Sequence, residues 1–344
     1  MNYWTSKELA ALRRLRERFL TAEAGAGDYW QQEDDLLLYD QTFAERIGWK
    51  CDAVLQELTI RGWKPQSSRI FDFGCGSGVA NRRVLAHWPE QFVSLTLHDR
   101  SANAMQFASN RARDLKSSLT EVQVAREVET LPEDTLFVAS HVLNELAPEN
   151  LQRLLSLIRQ AREVIWIEAG THADSRRLGA EVRAALLLDF SVIAPCTHQA
   201  ACGMFAPENH AHWCHTFAKP PSWIFQDGRW SEFGREMGID LRSVPYSFLV
   251  LERRSGVEKE QGLSRMIGEP RDYKGFSKIL SCQEDGVAEL TMQKRDDPAL
   301  LKEIRAAKAG AVFRWTVDRN KITKGEAIAR PPARIVEESD EDEE

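Results

Sequence analysis

The feature that most constrains this chain is the run Arg69-Ile-Phe-Asp-Phe-Gly-Cys-Gly-Ser-Gly78. Ile70, Phe71 and Phe73 form the short apolar segment of a central parallel strand. Gly74, Gly76 and Gly78 then allow a sharp turn and a close approach of backbone to ligand. A helix is predicted over 79–87, and its unpaired N-terminal amides would face whatever sits in the turn. A P-loop requires Gly-Lys-Ser/Thr at this point, whereas the chain has Ser77-Gly78-Val79. The dinucleotide pattern G-x-G-x-x-G is weakened by Val at position 79.

What remains, Asp72-x-Gly74-x-Gly76-x-Gly78, resembles the first motif of class I S-adenosylmethionine (SAM) methyltransferases. That resemblance implies an acid, Asp72, near the amino-acid end of SAM, with the glycines lining its other side. A second strand over 93–97 runs into His98-Asp99, and an acid at a strand tip is the acceptor a ribose diol needs. The alternative is a glycine-rich turn with no ligand. Further strands are predicted at 121–124, 135–139 and 164–168, alternating with helices at 102–115 and 148–161. Such alternation makes an α/β, doubly wound sheet with ligands at the carboxyl ends of its strands. The fourth strand leads into Ser140-His141-Val142-Leu143-Asn144-Glu145, the loop that faces the methyl group in this fold. It lacks the Asn/Asp-Pro-Pro-aromatic and Pro-Cys sequences of known base methyltransferases. Asn144 and Glu145 are weak candidates for orienting a substrate, against a helix-capping or solvent role, and no catalytic base is assignable.

Helices are predicted at 6–21 and 35–58, which makes 1–65 a helical cap and 66–190 the SAM-binding core. No apolar run reaches membrane-span length. The N-terminus lacks an apolar signal region, and the acids beside Arg13–Arg18 favour an amphipathic helix over a presequence. A bacterial protein of this kind is expected in the cytoplasm, as a monomer and with no membrane partner. The formal charge of −7 misleads, because seven acids sit in the tail from Glu337 to Glu344. Residues 294–334 carry eleven Lys/Arg against five Asp/Glu. A basic segment followed by an acidic, disordered tail (335–344) suits a nucleic-acid or ribosome partner, or equally a solvated surface.

The six cysteines do not suggest a disulfide framework. Three of them, Cys196, Cys202 and Cys214, fall within nineteen residues rich in His, Gly, Pro and Trp, and a fourth stands at Cys282. The segment 191–225 therefore reads as a metal-binding insertion, which a bound metal would help to fold. Zinc (Zn²⁺) and an iron–sulfur cluster both fit four thiolates. Long, irregular spacing favours the cluster, while His198, His210, His212 and His215 keep a Cys/His zinc site open. Unligated buried cysteines are the third option. Cys51 and Cys75 are assigned to core packing.

Several stretches, in order, resemble the mitochondrial small-ribosomal-subunit methyltransferase-like family, which has bacterial relatives. They are Asp35–Leu58 followed by Phe71–Ala80, Ala139-Ser-His-Val-Leu-Asn-Glu-Leu146, Trp166-Ile-Glu-Ala-Gly-Thr171 with Ser175-Arg-Arg-Leu178, Ala194-Pro-Cys-Thr-His198, His212-Trp-Cys-His215, Tyr246–Leu251 and 271–282. The resemblance covers about residues 35–285. It implies that Cys196, Cys202, Cys214 and Cys282 ligate a four-iron–four-sulfur (4Fe-4S) cluster. It also implies association with the small ribosomal subunit and its rRNA, methylation being unsettled within the family, and a mitochondrial location in a eukaryote. Gly203 departs from a frequent Pro, and Cys75 stands where the family often has another residue. Residues 226–256 are expected to finish the α/β core. Residues 257–334 would form an extension tied to the insertion through Cys282.

Overall fold

The computed structural model describes residues 3–20, 30, 34–115, 117–253, 262–307 and 309–329. The expected acidic tail lies outside them. Helices α1 (Ser6–Leu20), α2 (Asp35–Asp40) and α3 (Phe43–Ile60) come first. The single helix predicted over 35–58 is broken at Gln41–Thr42, where Thr42 Oγ1 donates to the Leu38 carbonyl at 2.5 Å. A hydroxyl that bonds local backbone competes with helix continuation.

The α/β core follows as β1 (Arg69–Phe73), α4 (Val79–His87), β2 (Ser94–His98), α5 (Ala102–Arg113), β3 (Glu121–Val124), β4 (Thr135–Ser140), α6 (Pro148–Ile158) and β5 (Glu163–Ala169). Next, α7 (His172–Arg177) runs through a π-helical stretch, Leu178–Arg183, into α8 (Ala184–Leu186). Strands β6 (Phe190–Ala194) and β7 (Thr216–Phe217), helix α9 (Gly228–Met237) and strand β8 (Pro245–Arg253) complete it. The sheet order is β3-β2-β1-β4-β5-β8-β6, with β7 also on β8. Strands β1 to β5 run parallel, and β8 is antiparallel to both β5 and β6.

Alternation along the strands feeds two cores. Ile70, Leu95, Leu136 and Ile165 pack with Leu12, Val54 and Leu58 of the cap. Phe71, Phe137 and Trp166 pack with Leu151 and Leu155 of α6 on the other face. A parallel sheet buried on both faces with one antiparallel strand next to its edge is the class I SAM methyltransferase fold. β6 was not foreseen: its five residues are all buried, and so short an apolar run carries no period of its own.

The extension is a domain in its own right. Strands β9 (Leu263–Tyr273), β10 (Phe276–Gln283) and β11 (Gly286–Gln293), helix α10 (Pro298–Ala306), and strands β12 (Val312–Asp318) and β13 (Lys321–Ala327) close a barrel in the order β10-β11-β13-β12-β9. β11 and β13 pair in parallel and the other neighbours antiparallel. A five-stranded barrel with its helix between the third and fourth strands is an oligonucleotide/oligosaccharide-binding (OB) fold. Met266, Ile279, Leu290, Phe313 and Ile322 fill it, and Leu300, Leu301 and Ile304 of α10 plug one end. Asp297 caps α10 by accepting from the Ala299 and Leu300 amides at 3.0 and 2.9 Å. Among the described residues no helix is long and apolar enough to cross a membrane.

Candidate cofactor site and cysteine centre

The glycine turn leaves β1 with Gly74, Gly76 and Gly78 at φ of 67°, 50° and 79°. A Cβ on Gly74 would lie 2.4 Å from Val142 Cγ1, and one on Gly78 would lie 2.8 Å from Ala108 Cβ. Over Gly76 the nearest atom to such a Cβ is Tyr39 Cε1, 4.0 Å away, so packing pins the two outer glycines and leaves the middle one room. The Gly74 and Cys75 amides donate to the His98 carbonyl, binding the turn to the end of β2. Asp99 accepts from the Gly76 amide (2.9 Å) and the Ser101 amide (2.9 Å). One lone pair on each of its oxygens is left for a ligand.

Asp72 is buried at the base of the turn, and Asn81 Nδ2 donates to its Oδ2 at 2.6 Å. Burial pushes its carboxyl up to about 7, against the lowering effect of the Asn81 bond. Ser77 Oγ, Asn81 Oδ1 and Ser140 Oγ are buried with no partner among the described residues. Ser140 stands one residue past the Phe73–Ala139 pair that joins β1 to β4. Buried polar atoms are nearly always bonded, so three such atoms at the turn and the adjoining strand end are open to a ligand's polar groups.

At the tip of β4, His141 adopts φ 56° and its Nε2 lies 3.1 Å from Lys50 Nζ of α3. Burial, then the neighbouring Arg46, lowers the Lys50 ammonium to about 7. Burial and Lys50 push His141 well below its ordinary value. Lys50 gave no sequence signal, being one lysine in an amphipathic helix. Asn144 is exposed, and Glu145 pairs with Arg100 at 3.6 Å. Behind the loop, Glu168 accepts from the Val142 and Leu143 amides and from Trp166 Nε1. Arg177 donates to the Leu143 and Leu146 carbonyls.

Cys196 follows β6, Cys202 precedes a short 3-10 turn, Cys214 precedes β7, and Cys282 lies on β10 of the barrel. Cys202, Cys214 and Cys282 pack with Met204, Ile267 and Val287. Burial raises Cys214 to about 12 and lifts Cys202 and Cys282 as well, with charge on the other thiols of the set adding to each. Arg183 hydrogen-bonds Cys196 and also feels Cys202 and Cys282. Arg176 Nη1 organises the loop through the Met204, Asn209 and His212 carbonyls, at 2.9, 3.2 and 3.0 Å. His198 Nε2 lies 3.4 Å from Cys282 Sγ. His210 instead contacts the Pro207 carbonyl, and His215 stacks on Trp213. Among the described residues no three His, Cys, Asp or Glu side chains stand close enough to hold one metal ion. Cys51 and Cys75 lie in the hydrophobic core.

Gly203 explains its departure from Pro. A Cβ there would lie 2.6 Å from the Val287 amide nitrogen of the barrel. The barrel is further joined to the core by Asn209 Nδ2 to the Val287 carbonyl (3.0 Å) and by Arg265 of β9, which donates to Glu57 of α3.

The model of the mitochondrial small ribosomal subunit Rsm22 family matches residues 50–314. The chain belongs to that family. The match takes in the glycine turn, the cysteine insertion and most of the barrel. No curated protein sequence matches the chain. Among solved structures it is similar to magnesium protoporphyrin IX methyltransferase (ChlM) of Synechocystis PCC 6803 with bound SAM. The identity is 13%, over 74% of this chain and 100% of that one, with a TM-score of 0.38. It is also similar to N-methyltransferase NodS of Bradyrhizobium japonicum WM9 with S-adenosyl-L-homocysteine, at 14% identity over 71% and 99% of the two chains and a TM-score of 0.38.

Proposed function

We propose that the chain binds SAM in the β1 turn and acts on or with the small ribosomal subunit as a methyltransferase-type protein. The observation that carries the SAM site is that Ser77 Oγ and Asn81 Oδ1 at the turn and Ser140 Oγ at the end of β4 are buried with no partner among the described residues. Asp72 suits the cofactor's amino group, Asp99 its ribose, and Ser140 the end nearest the methyl group. Bound SAM supplies an electrophilic methyl group. Lys50 and His141, at the loop facing it, would take the proton that an attacking amine or hydroxyl loses. Family membership supports the ribosomal partner and, in a eukaryote, a mitochondrial location; a bacterial relative would act in the cytoplasm.

The cysteine centre is read as a 4Fe-4S site held by Cys196, Cys202, Cys214 and Cys282. What supports the reading is the donor chemistry: Cys202, Cys214 and Cys282 share an apolar shell, Cys196 lies within electrostatic reach of all three, and the Arg183 guanidinium stands beside the set. Zinc, which takes four N or S donors about 2.0–2.3 Å from one point, is the alternative, with His198 Nε2 at 3.4 Å from Cys282 Sγ as a further donor. The cluster would be structural, fastening barrel to core. The cap over the turn, with Tyr39 above Gly76, favours a second reading in which SAM is held without transfer and binding to the subunit is the function.

Methyl transfer from labelled SAM to precursor small subunits tests the first reading. Incorporation lost on Asp72→Ala supports it; subunit binding without incorporation supports the second. Protein purified without oxygen should carry about four irons and four sulfides, lost in Cys196→Ser and Cys282→Ser. One zinc and no sulfide, with iron available, would sink the cluster.

A further inference from the structure

The barrel's outer face has two halves. Its cross-strand rows run from the β9–β10 hairpin tip toward the core: Tyr273–Phe276–Gln293, then Arg271–Lys278–Thr291, with Arg265–Cys282–Val287 at the far end. The far end is covered, because Cys282 and Val287 pack with Met204 of the cysteine loop. The tip end is open. Tyr273 is 46% exposed, and its ring stacks on Phe276 at 4.6 Å and 9°. Arg305 of α10 braces this pair by donating to the Tyr273 and Phe276 carbonyls.

Beside the stacked rings runs a groove of about 640 Å³ lined by Gly275, Phe276, Gln293, Lys294, Arg295 and Pro298. Lys274, Lys294 and Arg295 are exposed around it. Acids on this side are engaged: Glu289 with Arg271 and Lys278, Asp272 with Arg305 and Ser277, and Asp296 with Lys321 at 3.1 Å and, more loosely, with Arg295 at 3.9 Å. An aromatic platform flanked by cations matches a base and its phosphates, and only an unstacked base can reach such a ring.

We propose that the open half of this face binds single-stranded RNA, with a base stacked on Tyr273 over Phe276 and the phosphates following Lys274, Lys294 and Arg295. The inference rests on reading the chain as a partner of the small subunit, and it names the RNA class and the surface. Stacking and phosphate contacts on an OB barrel are sequence-tolerant, so a plain oligonucleotide is a fair probe.

The test is fluorescence anisotropy of a labelled oligouridylate, roughly ten nucleotides long, with the full chain. Tyr273→Ala should weaken binding roughly tenfold or more, while Tyr273→Phe, which keeps the ring, should bind as wild type. Lys274→Gln with Lys294→Gln should flatten the salt dependence by about 1.4 in log–log slope. Trp223→Ala, which removes a half-exposed aromatic elsewhere, should change nothing. The inference falls if wild type binds no oligonucleotide, if Tyr273→Ala binds as wild type, or if duplex RNA binds equally well. Co-sedimentation with small subunits separates the two levels. Subunit binding by wild type with an indifferent Tyr273 removes this surface and spares the ribosomal reading; Tyr273-dependent RNA binding without subunit binding does the reverse.

Discussion

Replacing Glu57 by Gln should loosen the barrel from the core. Glu57 lies between two guanidiniums: Oε1 accepts from Arg61 Nη2 at 2.7 Å and Arg265 Nη1 at 2.6 Å, and Oε2 accepts from Arg265 Nη2 at 3.0 Å. Both arginines are nearly fully buried and also donate to the Pro195 carbonyl beside Cys196. Burial alone would raise the Glu57 carboxyl, but Arg265 and Arg61 reverse this and hold it near 2 instead of the ordinary 4.5. At ~1.36 kcal/mol per pH unit that gap corresponds to about 3 kcal/mol, at the lower end of the ~3–5 kcal/mol for breaking a buried pair. Because the folded-state value is depressed, the stabilisation is complete above about pH 4.5 and is lost as pH falls through about 2. Urea unfolding at pH 7, followed by tryptophan fluorescence, should show Glu57→Gln losing about 3 kcal/mol. Arg265→Leu should lose less, since the Glu57–Arg61 pair survives. A Glu57→Gln loss below about 1 kcal/mol, the range of a surface pair, would refute the argument.

Asp72 offers a second, pH-dependent test. Its folded-state value near 7 exceeds that of the unfolded chain, so its contribution to SAM-free stability falls as pH rises from about 4 to 7. Thermal unfolding should therefore favour Asp72→Asn increasingly over that window, with saturating SAM reversing the order; a pH-independent difference would remove the ionisation argument. Gly203→Ala forces a Cβ to 2.6 Å from the Val287 nitrogen, and should cost about 1–3 kcal/mol, seen as faster proteolytic release of the barrel; wild-type resistance would mean the loop yields freely. Asp297→Ala removes two bonds to the first turn of α10 and should cost about 1 kcal/mol in urea unfolding; no loss would show that packing alone holds this helix.

The glycine turn and the strand–helix alternation were legible because each is written locally. A left-handed turn demands glycine, and a buried strand demands an apolar run. Asp72, Asp99 and Ser140 could be placed at strand tips on the same grounds. The break at Thr42, β6 and the barrel were not legible. The barrel strands are half-buried, with the alternation interrupted by a bulge between Lys278 and Leu280, and closure pairs β9 with β12 some fifty residues away.

By itself, then, the sequence determined the fold of the core and the residues of the turn, since those demands concern neighbouring backbone and side chains. Only the tertiary structure decided that the extension is an OB barrel, that Lys50 meets His141, and that Glu57 is clamped by Arg265, 208 positions further on. A charge carries no label of its partner; burial and long-range closure choose it, and neither has a period that a chain can display.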